Sequence, residues 1–302
     1  MVDIALNATH RFVASQDVEL YVKEAGDPAK PGILFLHGFP DDHQVWASQF
    51  NSLSKDYHVI CFDTRGVGKS SPSKQKKAYR INKILKDIDT VISATRGSEG
   101  KVHLVGHDWG SVLGWSYVFD PIYQQRVLTW TSISGPPLGI VWQKARDDFM
   151  SFSPRRVTDA LSQLMHSWYI YSMFIPGFWE KLMMPTSSLW LRPVVYELDM
   201  QLGDFFDSES RATYTGRMKK ALGLYRENVF NPPKMPEPNS CRVPTQLIVA
   251  KHDKFIRPAI FDSLDNFVVD ITKKQVNAGH WVQLSNAEKV SKEIREFIGI
   301  KG

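Results

Sequence analysis

The stretch Val102-His-Leu-Val-Gly106-His107-Asp108-Trp109-Gly110-Ser111 decides the fold. An apolar run ends at a residue with glycine two places to either side. Small-x-nucleophile-x-small is the spacing of a tight strand-to-helix elbow, which lifts the middle side chain out of the sheet. That position commonly carries a hydroxyl, and here it carries the carboxylate of Asp108.

Working outward, short β-branched or aromatic runs alternate with helical patterns. The spacing predicts strands over Arg11–Ser15, Val18–Glu24, Ile33–His37, His58–Asp63, Val102–Gly106, Val127–Ile133, Gln246–Ala250 and Val268–Val276. The third, fourth, fifth and seventh are nearly continuous apolar runs, which fit strands covered on both faces. The first two alternate and lie close together, like an antiparallel entry hairpin. Helical patterns cover Asp42–Leu53, Ile81–Thr95, Ser111–Tyr117 and Ala287–Ile298. Strand–helix alternation predicts an α/β fold, a mostly parallel eight-stranded sheet with helices on both faces. The rhythm breaks from about Pro136 to Met235, where Trp, Tyr, Phe and Met sit in helix-length patterns. Proline clusters bound this segment. It reads as a helical cap, residues 137–238, inserted between core residues 1–136 and 239–302.

The chain has 302 residues, ample for a full core, and a net charge of +5. Its densest basic stretch, Ser73 to Arg80, leads into a helical pattern and reads as a solvated face, not a nucleic-acid site. Cys61 and Cys241 form no paired motif. The first residues lack a secretory pattern, and no apolar run reaches membrane-spanning length. These readings predict a cytoplasmic protein without stable membrane insertion, a monomer or homodimer. Arg65-Gly66-Val67-Gly68-Lys69-Ser70 imitates part of a phosphate loop, but the required first glycine is Asp63. The nine histidines show no zinc spacing, so neither a metal nor a cofactor is expected.

Ligands of open α/β sheets bind at the carboxyl ends of the strands. The loops there carry His37-Gly38-Phe39-Pro40, then Asp108, then Lys251-His252-Asp253, then Gly279-His280-Trp281. Nucleophile, acid and histidine follow in that order: Asp108 attacks, His280 is the base, and Asp253 orients and charge-balances the imidazole. Singly, each has a plainer reading, as helix cap, packed histidine or turn residue. The ordered set of three is hard to obtain by accident. A carboxylate is already anionic at neutral pH and suits displacement at a saturated carbon bearing a leaving group. The resulting alkyl ester is then hydrolysed at the aspartate's own carbonyl carbon by water that His280 activates. Backbone N–H groups of Phe39 and Trp109 are the expected oxyanion donors. A halide leaves with N–H donors around it, whereas an epoxide oxygen needs a proton, which a neutral tyrosine supplies.

On these pieces the chain resembles the epoxide hydrolases of the α/β-hydrolase fold over nearly its whole length. The matching residues are His37-Gly-Phe-Pro40, Asp63-Thr-Arg-Gly66-Val-Gly-Lys-Ser70, Gly106-His-Asp108-Trp-Gly110, Ser167-Trp-Tyr169, Leu224-Tyr225-Arg226 and Gly279-His-Trp281. The resemblance implies two epoxide-activating cap tyrosines. One lies seven residues before a proline, as Tyr169 does before Pro176, and the other precedes an arginine, as Tyr225 does. Where the family often has Phe-Gln, this chain has Met173-Phe174, and Tyr171 competes with Tyr169 for the first role. The resemblance also implies a cis Phe39-Pro40 bond. The implied partners are a small apolar epoxide and water. Phe39, Trp109, Trp168, Met173 and Phe174 are candidate substrate contacts, although aromatics of such a cap also pack on one another. Haloalkane dehalogenases share the aspartate elbow, but they usually carry asparagine where this chain has Phe39. A ligand-binding protein that kept the fold is the third alternative.

Overall fold

Four nearly continuous apolar runs form interior strands of the sheet, and each is buried along its length: β3 (Gly32–Leu36), β4 (His58–Phe62), β5 (Val102–His107) and β7 (Thr245–Ala250). With β1 (Thr9–Ser15), β2 (Val18–Ala25), β6 (Val127–Ile133) and β8 (Ile271–Val276), they make one eight-stranded sheet in the order β1-β2-β4-β3-β5-β6-β7-β8. The computed structural model describes residues 8–151, 153–158, 161, 168–175, 177–183 and 211–302, without the side chains of Trp168 and residues 211–218.

β1 pairs antiparallel with β2, and β2 antiparallel with β4; every other pairing is parallel. The chain passes from β3 to β4 on one side and then to β5 on the other. The order therefore reverses at β3 and β5, and a crevice opens at their carboxyl ends. The outer strand β8 turns Lys273 and Lys274 to solvent, where they pair with Asp265 and Glu293 and keep that edge charged. It begins at Ile271, not Val268. Val268 is instead in an isolated bridge with Cys241, outside the β7–β8 register.

Helix α1 (Ala47–Leu53) is shorter than its pattern. Asp42 caps Gln44 N–H at 2.8 Å and starts a 3-10 turn, His43–Trp46, that takes up the first residues. In α2 (Ile81–Arg96), Ile81, Ile84, Leu85, Ile88, Val91 and Ile92 make one buried stripe, and Gly97 ends it at φ +85°. α3 (Trp109–Phe119) is buried almost all round and packs on β3, β5 and β6. β6 and β7 are neighbours in the sheet, although residues 134–244 separate them in sequence. The described part of that insertion is helical: α4 (Leu138–Met150), the short α5 (Trp168–Ser172), a π-turn at Trp179–Met183, and α6 (Arg211–Asn228). After β8 come α7 (Val282–Ser285) and α8 (Ala287–Lys301), which packs with α1.

The stretch that imitates a phosphate loop wraps a carboxylate instead. Asp63 accepts the N–H groups of His43 at 2.9 Å and Lys69 at 2.8 Å, and a side chain at Gly68, φ +53°, would overlap its oxygens. Arg65 is buried and pairs twice with Asp87, Nε to Oδ2 and Nη2 to Oδ1, both at 2.7 Å. Cys61 in β4 and Cys241 are unpaired and buried, and burial raises both thiols, Cys241 to about 11.

Candidate active site

At the elbow the backbone of Asp108 stands at φ +52°, ψ −119°, a conformation that costs an ordinary residue on the order of 1–3 kcal/mol. Asp108 N–H bonded to Ile133 O and Val112 N–H bonded to Asp108 O, both at 3.0 Å, hold it there. The flanking glycines permit it: a Cβ on Gly110 would collide with the Leu36 carbonyl, and one on Gly106 would lie 2.5 Å from Gly110 O.

Three loops from the carboxyl ends of β3, β7 and β8 meet this side chain. Phe39, joined to Pro40 by the expected cis bond, donates its N–H to Asp108 Oδ1 at 2.7 Å. Trp109, the first residue of α3, has no acceptor for its N–H within its own helix. His280 Nε2 lies 3.5 Å from Asp108 Oδ2, and His280 Nδ1 lies 2.8 Å from Asp253 Oδ2. The other Asp253 oxygen accepts from the N–H groups of Phe255 at 2.8 Å and Ile256 at 2.9 Å. Asp253 is only 2% exposed at the side chain against 16% for Asp108. The carboxylate behind the imidazole is thus sealed, and the one in front is open.

Burial works against charge on both partners, and the pairing overcomes it. Desolvation alone would lower His280, yet Asp253 and Asp108 push it up to about 10. Desolvation alone would raise Asp108, yet His280 first and then the Phe39 N–H bring it below the usual range. The pairing thus favours the charged forms of His280 and Asp108 at neutral pH.

Tyr169 and Tyr225 close the site from the insertion. Burial first, and then the Asp108 charge, raise both phenols above their ordinary value; Asp253 adds to the first, and Tyr169 itself to the second. The Trp109 indole donates to the Tyr225 hydroxyl, which partly offsets this. Tyr225 packs edge-on against Phe39 and Trp109 at 5.1 and 4.9 Å between ring centroids. Tyr169 packs against Phe255 at 5.6 Å, and Phe255 lies 5.0 Å from the His280 ring. Tyr171 is 38% exposed, and only burial acts on its hydroxyl.

α5 sorts the remaining candidates by face. Met173, four residues from Tyr169, is fully buried in the core, and Tyr169 is partly buried against it. Phe174, three residues from Tyr171, packs on Phe230 at 4.6 Å, and Tyr171 meets the same ring. Phe174 and Tyr171 thus share one ring, Phe230, whereas Tyr169 meets another, Phe255. The Trp168 side chain lies outside the described residues, as do Met165 and Pro176.

Two neighbours of the site were not singled out in the sequence. His107, beside the nucleophile, donates Nε2–H to His280 O at 2.9 Å and is pushed down to about 3 by burial and by His280, so it is neutral. It sits within the elbow motif, but its contact with His280 is tertiary. Phe255, between Tyr169 and His280, has no sequence signal beyond lying two residues after Asp253.

Asp42, His43 and Asp63 bring donor atoms within 4.8 Å of one another. His43 Nδ1 already meets Asp63 Oδ1 at 2.7 Å, and both carboxylates cap backbone N–H groups. A groove of about 740 Å³, lined by Leu85, Ser116, Phe119, Leu138 and Met235 among others, lies where the insertion joins the core and contains none of the triad.

The comparisons with known proteins agree with this geometry. The structure of the Bacillus megaterium epoxide hydrolase bound to an inhibitor superposes with a TM-score of 0.77 over 96% of this chain and all of that one, at 22% identity. The Vigna radiata epoxide hydrolase VrEH1 gives 0.74 at 23% identity over 97% and 98% of the two chains. Epoxide hydrolase 3 of Xenopus tropicalis is 25% identical over 96% of this chain and 77% of its own length. The Mycobacterium tuberculosis protein named probable oxidoreductase EphD is 29% identical over 95% of this chain, which spans about half, 49%, of that relative's length. Residues 31–287, which hold the elbow and the three loops around it, match the family of the alpha/beta hydrolase fold, and the chain belongs to that family.

Proposed function

We propose that this chain is an epoxide hydrolase, converting a small apolar epoxide and water to a vicinal diol through an ester on Asp108. One observation carries the reading. Two phenols from the insertion converge on the triad: Tyr225 packs on Phe39 and Trp109, and Tyr169 packs on Phe255 beside His280, and the Asp108 charge raises both. Asp108 Oδ2 attacks an epoxide carbon, the C–O bond breaks, and the ring oxygen takes a proton that the tyrosines donate. Oδ1 stays on the Phe39 N–H and becomes the ester carbonyl. Esterification removes the Asp108 charge that helped to raise His280, so the imidazole gives up its proton, which makes good the one the tyrosines donated, and becomes a base. His280 then takes a proton from water as the hydroxide adds to the ester carbon, and the oxyanion forms on Oδ1 between the Phe39 and Trp109 N–H groups. The bond from that carbon to Oδ2 breaks, and the diol leaves with Oδ2 and the added hydroxyl's proton, which restores the carboxylate and the imidazolium.

Residues 137–238 act in this reading as the cap, with Phe39, Trp109 and Met173 on the substrate side. The named epoxide hydrolases among the relatives support it. The two unpaired thiols fit a reducing compartment such as the cytoplasm. Halide displacement is disfavoured, because Phe39 offers no side-chain N–H to a departing halide.

The test is a single turnover in heavy-oxygen water with excess enzyme. One labelled oxygen is expected in Asp108 and an unlabelled diol in the first turnover. Label passing straight into the diol overturns the covalent route. Halide release from haloalkanes without diol formation from epoxides favours the dehalogenase, and tight binding without turnover favours a receptor.

A further inference from the structure

α5, which carries Tyr169, has five residues, too few to stand as a helix on its own backbone bonds. Its polar groups are tied from outside. Ser172 Oγ donates to the Tyr169 carbonyl at 2.6 Å and accepts from the Trp179 indole at 2.8 Å. The Met173 carbonyl at its end accepts from Arg226 Nε–H at 2.7 Å. Arg226 Nη1 in turn pairs with Glu180 Oε1 at 2.6 Å, and Glu180 follows Trp179 in the π-turn. A closed circuit thus runs from Tyr169 through Ser172, Trp179, Glu180 and Arg226 to Tyr225, the residue before Arg226.

The next two residues bind the core instead. Glu227 accepts Tyr79 N–H at 2.9 Å, and Asn228 holds Ile81 N–H at 3.0 Å and Tyr79 O at 2.8 Å. These bonds fix Tyr225 against the sheet without help from Arg226. What depends on Arg226 is the turn that bears the other phenol.

We infer that Arg226 is a positioning residue: its guanidinium sets the place of Tyr169 relative to Tyr225, so that both hydroxyls reach one oxygen above Asp108. This rests on the epoxide reading given above. The Arg226–Glu180 pair is partly exposed, at 33% and 21%, and such pairs contribute little to stability. Geometry, not folding, is what its removal changes.

The experiment follows ester formation and ester decay separately, by rapid quench and intact-mass analysis of the full chain with styrene oxide. Arg226→Gln slows ester formation on the order of 10–100-fold, the scale of a reacting group moved by a fraction of an ångström to an ångström. It leaves ester decay, the work of His280, unchanged. Arg226→Lys recovers part of the rate, and Glu180→Gln shows a weaker form of the same defect. On a Tyr169→Phe background, Arg226→Gln adds no further slowing, because the group it positions is already gone. Wild-type ester formation in Arg226→Gln overturns the inference. So does equal slowing of both steps, or undiminished slowing on the Tyr169→Phe background. A wild-type protein that forms no ester at all overturns the parent reading, a result distinct from these.

Discussion

Asp108 and His280 hold opposite charges in a site that excludes most water, so each change at these residues has a separable effect. Asp108→Ala removes the attacking atom and is expected to lower turnover by about 10³-fold or more, measured as diol production. His280→Gln keeps the nucleophile and loses the base, so the ester accumulates and intact mass shows protein plus substrate. The ion pair also makes stability depend on pH. His280 is raised from 6.5 to about 10 in the folded chain; its contribution is fully present below pH 6.5 and is lost as pH rises toward 10. Asp108 is lowered from 3.8, so its contribution is present above that value and is lost as pH falls below it. Thermal melts of wild type and His280→Gln are therefore expected to converge between pH 7 and 10. A gap that stays constant over that range contradicts the ion pair. At the level of single residues, the triad and the Phe39 donor were legible in the sequence because motif and chain order fix them. The choice between Tyr169 and Tyr171 was not. Two residues apart on a helix is about 200° of rotation, so the pair faces opposite ways, and the direction depends on what α5 packs against.

The elements that carry these residues are held by close contacts. Gly110→Ala drives a methyl group into the Leu36 carbonyl, where β3 and α3 cross, and is expected to cost about 1–3 kcal/mol in denaturant melts and to slow turnover as the elbow shifts. Asn228→Ala strips the partner from the buried Ile81 N–H and frees the end of α6, a loss of about 1–3 kcal/mol, with ring opening slowed through Tyr225. Interior strands were readable because double burial writes an unbroken apolar run, as in Ile33–Leu36 and Val59–Phe62. Element ends were not. α3 starts at Trp109 and β8 at Ile271 for reasons of tertiary geometry: the elbow forces the helix to begin at once, and Val268 is captured by Cys241 before the strand starts. α5 had no sequence signal, since its stability comes from Arg226, Trp179 and Ser172.

Across the whole molecule, the Arg65–Asp87 pair joins distant parts of the chain. The Asp87 carboxylate on α2 also accepts from Ser15 Oγ at 2.7 Å and Gln16 Nε2 at 3.1 Å at the end of β1. Asp87→Ala leaves the buried guanidinium only the more distant Asp17, 3.8 Å from Nη1, and is expected to destabilise the fold by about 3 kcal/mol, read from urea unfolding, with the elbow chemistry intact in whatever fraction stays folded. No described helix is long and apolar enough to cross a membrane. The sealed thiols of Cys61 and Cys241 bear on how motions of this chain can be watched. Both are shut away from solvent and held protonated, so a maleimide dye has no native target in the folded protein. Ile175→Cys, at an exposed position, would then carry the only fluorophore, and its emission would report on the surroundings of that turn during turnover with both native cysteines left in place.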